Sequence, residues 1–140
     1  MKKTLFYLSM LFLAISITAC SKDDDKKSSS TSINGKWELS QDGMIDDGFE
    51  YTGDYIHECS TKKDFSEFLS NGNFTNTTYD ADCNADSESG TYTYANNKLT
   101  ITYPDNTEAE FDVVELTKTK LKIKIESSPG YGLIFVYTKQ

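Results

Sequence analysis

The chain has 140 residues and a formal net charge of −8, from 22 acidic against 14 basic side chains. This length suits one domain. A surface this acidic repels nucleic acid and anionic lipid headgroups, so we expect no nucleic-acid partner and no basic contact with a membrane.

The first twenty residues predict export. Lys2 and Lys3 precede an apolar run over residues 5–17, which is too short for a retained membrane helix and has the flanks of a secretory signal. The segment ends in Ile17-Thr18-Ala19-Cys20, which resembles the lipobox of bacterial lipoproteins. That resemblance implies removal of residues 1–19 and acylation of Cys20, with two or more acyl chains for stable anchoring. Loss of the two lysines leaves 12 basic against 22 acidic side chains, a net charge of −10.

Residues 20–32 follow as CSKDDDKKSSSTS, which offers no apolar side chain to bury after the cysteine and predicts a flexible tether. The stretch Ser21-Lys22-Asp23-Asp24-Asp25 resembles the acidic export signal that Bacteroidota place after the lipid-bearing cysteine. The resemblance implies a lipoprotein of the outer membrane that is exposed on the cell surface. The alternative is a solvated charge run on a protein that faces the periplasm.

Residues 33–140 are predicted to form one all-β domain, because apolar side chains alternate with polar ones along most of it. In the clearest strand Leu121, Ile123 and Ile125 alternate with lysines. Asn71-Gly72 predicts a tight hairpin, and the doublet Val113-Val114 indicates a bulge. Eight strands are predicted, at 35–41, 62–69, 73–79, 90–95, 98–103, 109–116, 119–126 and 131–139.

The predicted strands are joined by short turns except at residues 42–61 and 80–89. Such a meander favours an eight-stranded antiparallel up-and-down barrel, since closure removes exposed strand edges. An open sandwich is the alternative. The 42–61 loop carries the apolar side chains Phe49, Tyr51 and Tyr55, and is expected to be a functional lid or a simple cap over the barrel mouth.

Cys59 and Cys83 remain once Cys20 is acylated. In an exported chain an even pair predicts a disulfide, and two buried thiols are the alternative. The bond would stabilise the fold by about 3.5 kcal/mol in the chain-entropy model. Zinc is a poorer interpretation, because the chain has one histidine and no Cys-x-x-Cys spacing.

Gly35-Lys36-Trp37 stands at the start of the first predicted strand, where G-x-W is the first-strand signature of lipocalins. More closely, the chain resembles the short lipocalin-like domain of Bacteroidota lipoproteins. The matching stretches are residues 35–39, 65–68, 71–74, 89–92, 97–101, 114–117 and 135–137, with Cys59 and Cys83 between them. Trp37 is interpreted as a plug for the closed end of the barrel. The chain has no arginine, so the arginine that covers this tryptophan in lipocalins is missing, and Lys139 is the candidate substitute.

An eight-stranded barrel is either filled by side chains or holds one small ligand. The first hypothesis is therefore a binding protein for a small, mostly apolar molecule, with a pocket lined by Phe68, Phe74, Tyr92, Tyr94, Phe111 and Phe135. The same six side chains equally suit a solid core. The second hypothesis is a filled barrel that acts as a protein-interaction or inhibitor module through the 42–61 and 80–89 loops. We expect a monomer without a cofactor.

A calcium site and an enzyme active site have weaker support in the sequence. Alternating oxygen side chains suit a hard cation such as calcium, and the chain offers Asp80, Asp82, Asn84, Asp86 and Glu88 as a weak candidate set. An enzyme is not expected, since His57 alone would have to serve a catalytic triad and no phosphate loop or nucleophile elbow is present. His57 is interpreted as a solvated loop residue.

Overall fold

A computed structural model describes residues 31–140, so the predicted signal segment, Cys20 and the acidic run after it lie outside the described residues. Nine antiparallel strands follow one another: β1 (Gly35–Asp46), β2 (Phe49–Asp54), β3 (Phe65–Phe68), β4 (Asn73–Tyr79), β5 (Ala85–Ala95), β6 (Lys98–Thr102), β7 (Glu108–Leu116), β8 (Lys120–Ser128) and β9 (Tyr131–Lys139). Within these residues no helix is long and apolar enough to cross a membrane.

The predicted barrel is confirmed. The strand order is β2-β1-β3-β4-β5-β6-β7-β8-β9, and β1 also pairs with β9. Eight strands therefore close on themselves, while β2 lies outside the closed ring. Along one edge of β1, residues 35–38 pair with β3 and residues 41–46 pair with β2.

The expected loop at 42–61 is wrong for most of its length, because β1 continues to Asp46 and turns directly into β2. Asp47 and Gly48 both have positive φ, at 49° and 80°. Two successive residues of this kind make the hairpin turn that matches the twist of antiparallel strands. The segment is therefore a projecting hairpin, and only residues 55–64 form the connection to β3.

This hairpin covers the outside of the barrel. Ile134 and Val136 alternate along β9 with side chains that face the barrel interior, so they point outwards, yet they are 0% and 5% exposed. They form a second small core with Ile45 of β1. A salt bridge of 2.6 Å joins Glu50 of β2 to Lys122 of β8 and so crosses β1 and β9, which lie between these strands. The outward face of β1 and β9 is thus buried beneath the hairpin.

The main core explains the G-x-W sequence. Trp37 is fully buried and its Nε1 donates to the Ile33 carbonyl at 2.6 Å. The Lys139 ammonium lies 4.3 Å from the centre of the indole ring and donates to the carbonyl of Asn34. Gly35 has φ +120°, and a Cβ there would lie 2.6 Å from the Lys139 Nζ. Glycine is needed for that backbone conformation and for the approach of the lysine.

The disulfide between Cys59 and Cys83 is confirmed, and it ties the 55–64 connection to the turn after β4. The register shift between Val113 and Glu115 shows the bulge that the valine doublet indicates. The expected loop at 80–89 is half correct, because β5 begins at Ala85. Residues 85–91 of β5 pair with β4, whereas pairing of β5 with β6 begins only at Thr91.

Candidate functional site

The barrel encloses a cavity of about 190 Å³ that opens at the end away from Trp37. Four of the six expected lining residues surround it, namely Phe68, Phe74, Phe111 and Phe135. Tyr92 and Tyr94 are not among its lining residues. The Tyr92 hydroxyl donates to Asn34 Oδ1 and to the Leu69 carbonyl at the other end of the barrel.

Two tyrosines that line the cavity are missing from the expected set. Tyr103 follows β6, and Tyr137 lies on β9 on the same face as Phe135. Burial raises the pKa of Tyr137 to about 12, and a hydrogen bond with Ser66 partly opposes that effect. The alternation of apolar residues along β6 and β9 already contained the signal that these side chains point inwards.

A polar pair also faces the cavity. Ser66 Oγ donates to Asn76 Oδ1 at 2.9 Å across β3 and β4. Ser66 is only 4% exposed. A few polar groups in a mainly apolar cavity are what orients a small ligand. Ser66 and Asn76 lie two positions from Phe68 and Phe74, so alternation along β3 and β4 places them on the inner face with these phenylalanines.

Asp64 lies where the cavity meets its mouth and is 4% exposed. Its Oδ1 accepts the Tyr79 backbone N–H at 2.8 Å, and its Oδ2 accepts the Tyr55 hydroxyl at 2.8 Å. Burial raises the pKa of Tyr55 to about 12, and the hydrogen bond to Asp64 adds to the rise. Tyr55, expected as a lid residue, therefore anchors the connection before β3 to the rim of the barrel.

The interpretation of His57 as a solvated residue is wrong, because its side chain is only 5% exposed. Its ring packs edge-on against Tyr55 with centroids 4.9 Å apart. The Asp64 backbone N–H donates to His57 Nδ1 at 3.0 Å, so that nitrogen carries no proton in this arrangement. This hydrogen bond and the contact with Tyr55 hold the side chain against the rim of the barrel.

An acidic vestibule of about 400 Å³ adjoins the cavity, and both are lined by Asp64 and Thr78. The remaining carboxylates of the vestibule come from Glu58, Asp80 and Asp86. It contains much of the candidate calcium set, but no three His, Cys, Asp or Glu side chains within residues 31–140 converge as metal ligands do.

The candidate calcium residues are divided between a turn and a strand. Asp80 accepts hydrogen bonds from the backbone and side-chain nitrogens of Asn84, at 2.8 and 3.0 Å, and these lower its pKa. Asp86 and Glu88 lie on β5. Asp82 does not line the vestibule.

The other two expected lid residues, Phe49 and Tyr51, lie on β2 and are 66% and 58% exposed. They do not line the cavity. Register places Tyr51 beside Met44 of β1, and Met44 beside Leu133 of β9. The hairpin and the adjoining start of β9 therefore display an exposed apolar face made of Met44, Phe49, Tyr51, Tyr131 and Leu133.

Comparison with known proteins agrees with this architecture. The family model of the lipocalin-like domain matches residues 33–123. A lipocalin-like protein from Bacteroides uniformis superposes with a TM-score of 0.58 and 17% identity, over 76% of this chain and 97% of its own. A protein from Bacteroides eggerthii gives 0.57 and 20%, over 78% and 100%. Apocrustacyanin C1 gives 0.50 and 16%, over 82% and 64%. No curated protein matches the chain.

Proposed function

The chain belongs to the lipocalin-like domain family, and from that premise we propose that it is a binding protein whose barrel takes one small, largely apolar molecule. The cavity of about 190 Å³ carries this proposal. A cavity of about 150 Å³ lined by aliphatic and aromatic side chains binds benzene. Typical ligand pockets begin at about 300 Å³. A single ring or a short chain therefore suits this cavity better than a long lipid does.

Two measurements test this proposal on the chain from residue 21 onward. Native mass spectrometry of protein purified from its host is expected to detect a small molecule carried with the barrel. Calorimetric titration with single-ring aromatic compounds is expected to give saturable binding with one molecule per barrel.

A matched pair of variants ties that binding to the cavity. Thr78→Phe places a ring at the cavity mouth, and Thr93→Phe makes the same change at an exposed position of β5. Binding is expected to be lost in the first variant and kept in the second. Equal binding by both variants, or no binding by the unaltered chain, would contradict the proposal.

The proposal includes the location of the protein. The lipobox-like segment supports acylation of Cys20 and attachment to the outer membrane, and the acidic run after it supports display on the cell surface. Both features lie in the sequence outside the described residues. The net charge of −10 supports acyl chains, and not a basic surface, as the means of attachment.

A second candidate function is an interaction module, which the exposed apolar face of the hairpin favours. Large exposed apolar patches often mark contacts between proteins. Asp42, Asp46 and Asp47 flank this face, so the partner that fits it is a protein with an apolar patch rimmed by basic side chains.

Site-specific photocrosslinking on cells tests the second candidate. A crosslinker at Tyr51 is expected to capture one such protein, with a yield that falls as salt rises. A crosslinker at Val114, which is 48% exposed on β7, is the control. Equal capture at both positions, or capture at neither, removes this candidate.

A further inference from the structure

We propose that the molecule bound in the barrel is a small amine, with its apolar part in the cavity and its ammonium group among the carboxylates of the vestibule. The inference rests on the proposed function, since it concerns the same site. It is carried by the junction of two spaces, because Asp64 and Thr78 line the apolar cavity and the acidic vestibule alike. A ligand seated in the cavity has its outer end in the vestibule.

The carboxylate of Asp64 is held in place at this junction. It accepts one hydrogen bond on each oxygen, from the Tyr79 N–H and the Tyr55 hydroxyl, both at 2.8 Å. A carboxylate has about four acceptor positions, so both oxygens can still accept a donor from a ligand. Hydrogen bonds between an ammonium group and a carboxylate are among the stronger ones in proteins.

The β5 side of the mouth adds further negative charge. Asp86 pairs with Thr78 and Glu88 pairs with Asn76, so both acids lie on the face of the sheet that carries cavity-lining residues. Glu88 also helps burial to raise the pKa of Tyr103, which lines the cavity. The negative charge of Glu88 therefore acts on a side chain of the cavity wall.

The opposite wall is mainly apolar. In the ring of eight strands β9 lies across the barrel from β5. Leu133 of β9 pairs with Ile125 of β8, directly beside the cavity-lining pair Phe135 and Ile123. The mouth thus has one carboxylate wall and one mainly apolar wall, where Asp42 of β1 pairs with Phe135. Aromatic faces within the cavity also attract cations. This arrangement fits an amphipathic cation.

Positive side chains near the vestibule have other partners. Lys62 donates to the Cys83 carbonyl at 3.0 Å and lies 5.0 Å from the Tyr79 ring, and its charge acts on Asp80. His57 Nδ1 accepts the Asp64 N–H and so offers no proton to a ligand there. No lysine or histidine is among the lining residues of the vestibule within the described part of the chain. A ligand that carries a carboxylate group would be repelled by the acidic side chains at the mouth.

Three ligands with the same ring and similar length test the inference: phenethylamine, phenethyl alcohol and hydrocinnamate. Their dissociation constants are measured by calorimetry with the chain from residue 21 onward. This chain contains the whole barrel, and the two similar Bacteroides structures consist almost entirely of the same fold. The amine, which is protonated at neutral pH, is expected to bind at least about tenfold more tightly than the alcohol. Hydrocinnamate is expected to bind most weakly, and added salt is expected to weaken the amine alone.

Amide variants locate the charge effect. Glu58→Gln and Asp86→Asn are expected to weaken amine binding by about threefold each, in the range of exposed ion pairs, and to leave alcohol binding unchanged. Glu67→Gln, on the outward face of β3, is the matched control and is expected to change neither. Asp64 is left intact because it holds the rim together.

The outcomes separate the two proposals. Alcohol binding as tight as amine binding, or tightest binding by hydrocinnamate, overturns the amine inference and leaves the binding function standing. No binding of any ligand, with Thr78→Phe indistinguishable from the unaltered chain, overturns both. An amine affinity that neither amide variant weakens also overturns the inference, because Glu58 and Asp86 of the vestibule would then contribute nothing to binding of the ammonium group.

Discussion

Tyr137 places a phenol in the barrel interior, where burial raises its pKa to about 12. Its value in an unfolded chain is about 10. The raised pKa adds stability that is fully present below pH 10 and is lost as pH rises through 12, because the unfolded chain releases its proton first. The loss in the free energy of unfolding is expected to reach roughly 3 kcal/mol.

Denaturant unfolding measured in steps from neutral to strongly alkaline pH tests this expectation. Tyr137→Phe is expected to flatten the alkaline fall in the free energy of unfolding, and Tyr131→Phe, at an exposed position, is expected to leave it unchanged. An unaltered alkaline slope in Tyr137→Phe would show that the phenol is solvated.

Lys139 serves the tryptophan at the closed end of the barrel. Its ammonium lies over the Trp37 ring and donates to the Asn34 carbonyl. Lys139→Ala is expected to lower the free energy of unfolding by about 1–3 kcal/mol, from one cation–π contact and one hydrogen bond. Lys139→Arg keeps both interactions and is expected to cost less. Lys118→Ala, in the exposed turn after β7, is the control in the same denaturant titration.

Residue-scale prediction from the sequence identified four of the six expected lining aromatics and missed the polar residues of the cavity. Inward aromatics such as Phe74 and Phe135 follow from alternation along their strands. Ser66 and Asn76 also point inwards, but a polar residue on a strand normally indicates the solvent face. Only the partner strand reveals that the two side chains satisfy each other.

At the scale of elements, two of the missed stretches of strand bury almost nothing. All six residues of β2 are exposed, and so are the first five residues of β5. Without a buried face there is no hydrophobic period to detect, so both were predicted as loops. The Asp47-Gly48 dipeptide was nonetheless a hairpin signal. The turn residues therefore predicted β2 better than hydrophobic periodicity did.

Gly43 permits the hairpin to cover the outer face of the barrel. A Cβ at this position would lie 1.8 Å from the Tyr51 carbonyl oxygen, so Gly43→Ala must displace β2. We expect a loss of about 1–3 kcal/mol in the free energy of unfolding, as for overpacking, together with faster proteolysis within residues 41–54. Gly53→Ala, in the same hairpin with open space around its Cβ position, is the matched control. Equal proteolysis of both variants would mean that β2 does not pack as described.

The disulfide acts on the whole molecule, because it joins two segments at the mouth of the barrel. Replacing Cys59 and Cys83 together by serine is expected to lower the free energy of unfolding by about 3.5 kcal/mol in the chain-entropy model. The Lys62 backbone N–H, which donates to Cys59 Sγ at 3.1 Å, also loses this acceptor. Denaturant unfolding of both proteins gives the difference. A loss below about 1 kcal/mol would show that the mouth is already ordered by the Asp64 hydrogen bonds.

The proposed location rests on two sequence features upstream of the barrel, and both can be altered without changing any residue of the barrel. Cys20→Ser is expected to release the protein from membranes, because no acyl chain can then be attached. Changing Asp23, Asp24 and Asp25 together to asparagine is expected to keep the lipid anchor but remove the protein from the cell surface. Cell fractionation measures the first effect, and protease accessibility on intact cells measures the second.

Changing Lys26 and Lys27 to glutamine tests whether any loss of charge suffices, and surface display is expected to survive it. Display that persists without the three aspartates would mean that the acidic run is only a solvated part of the tether.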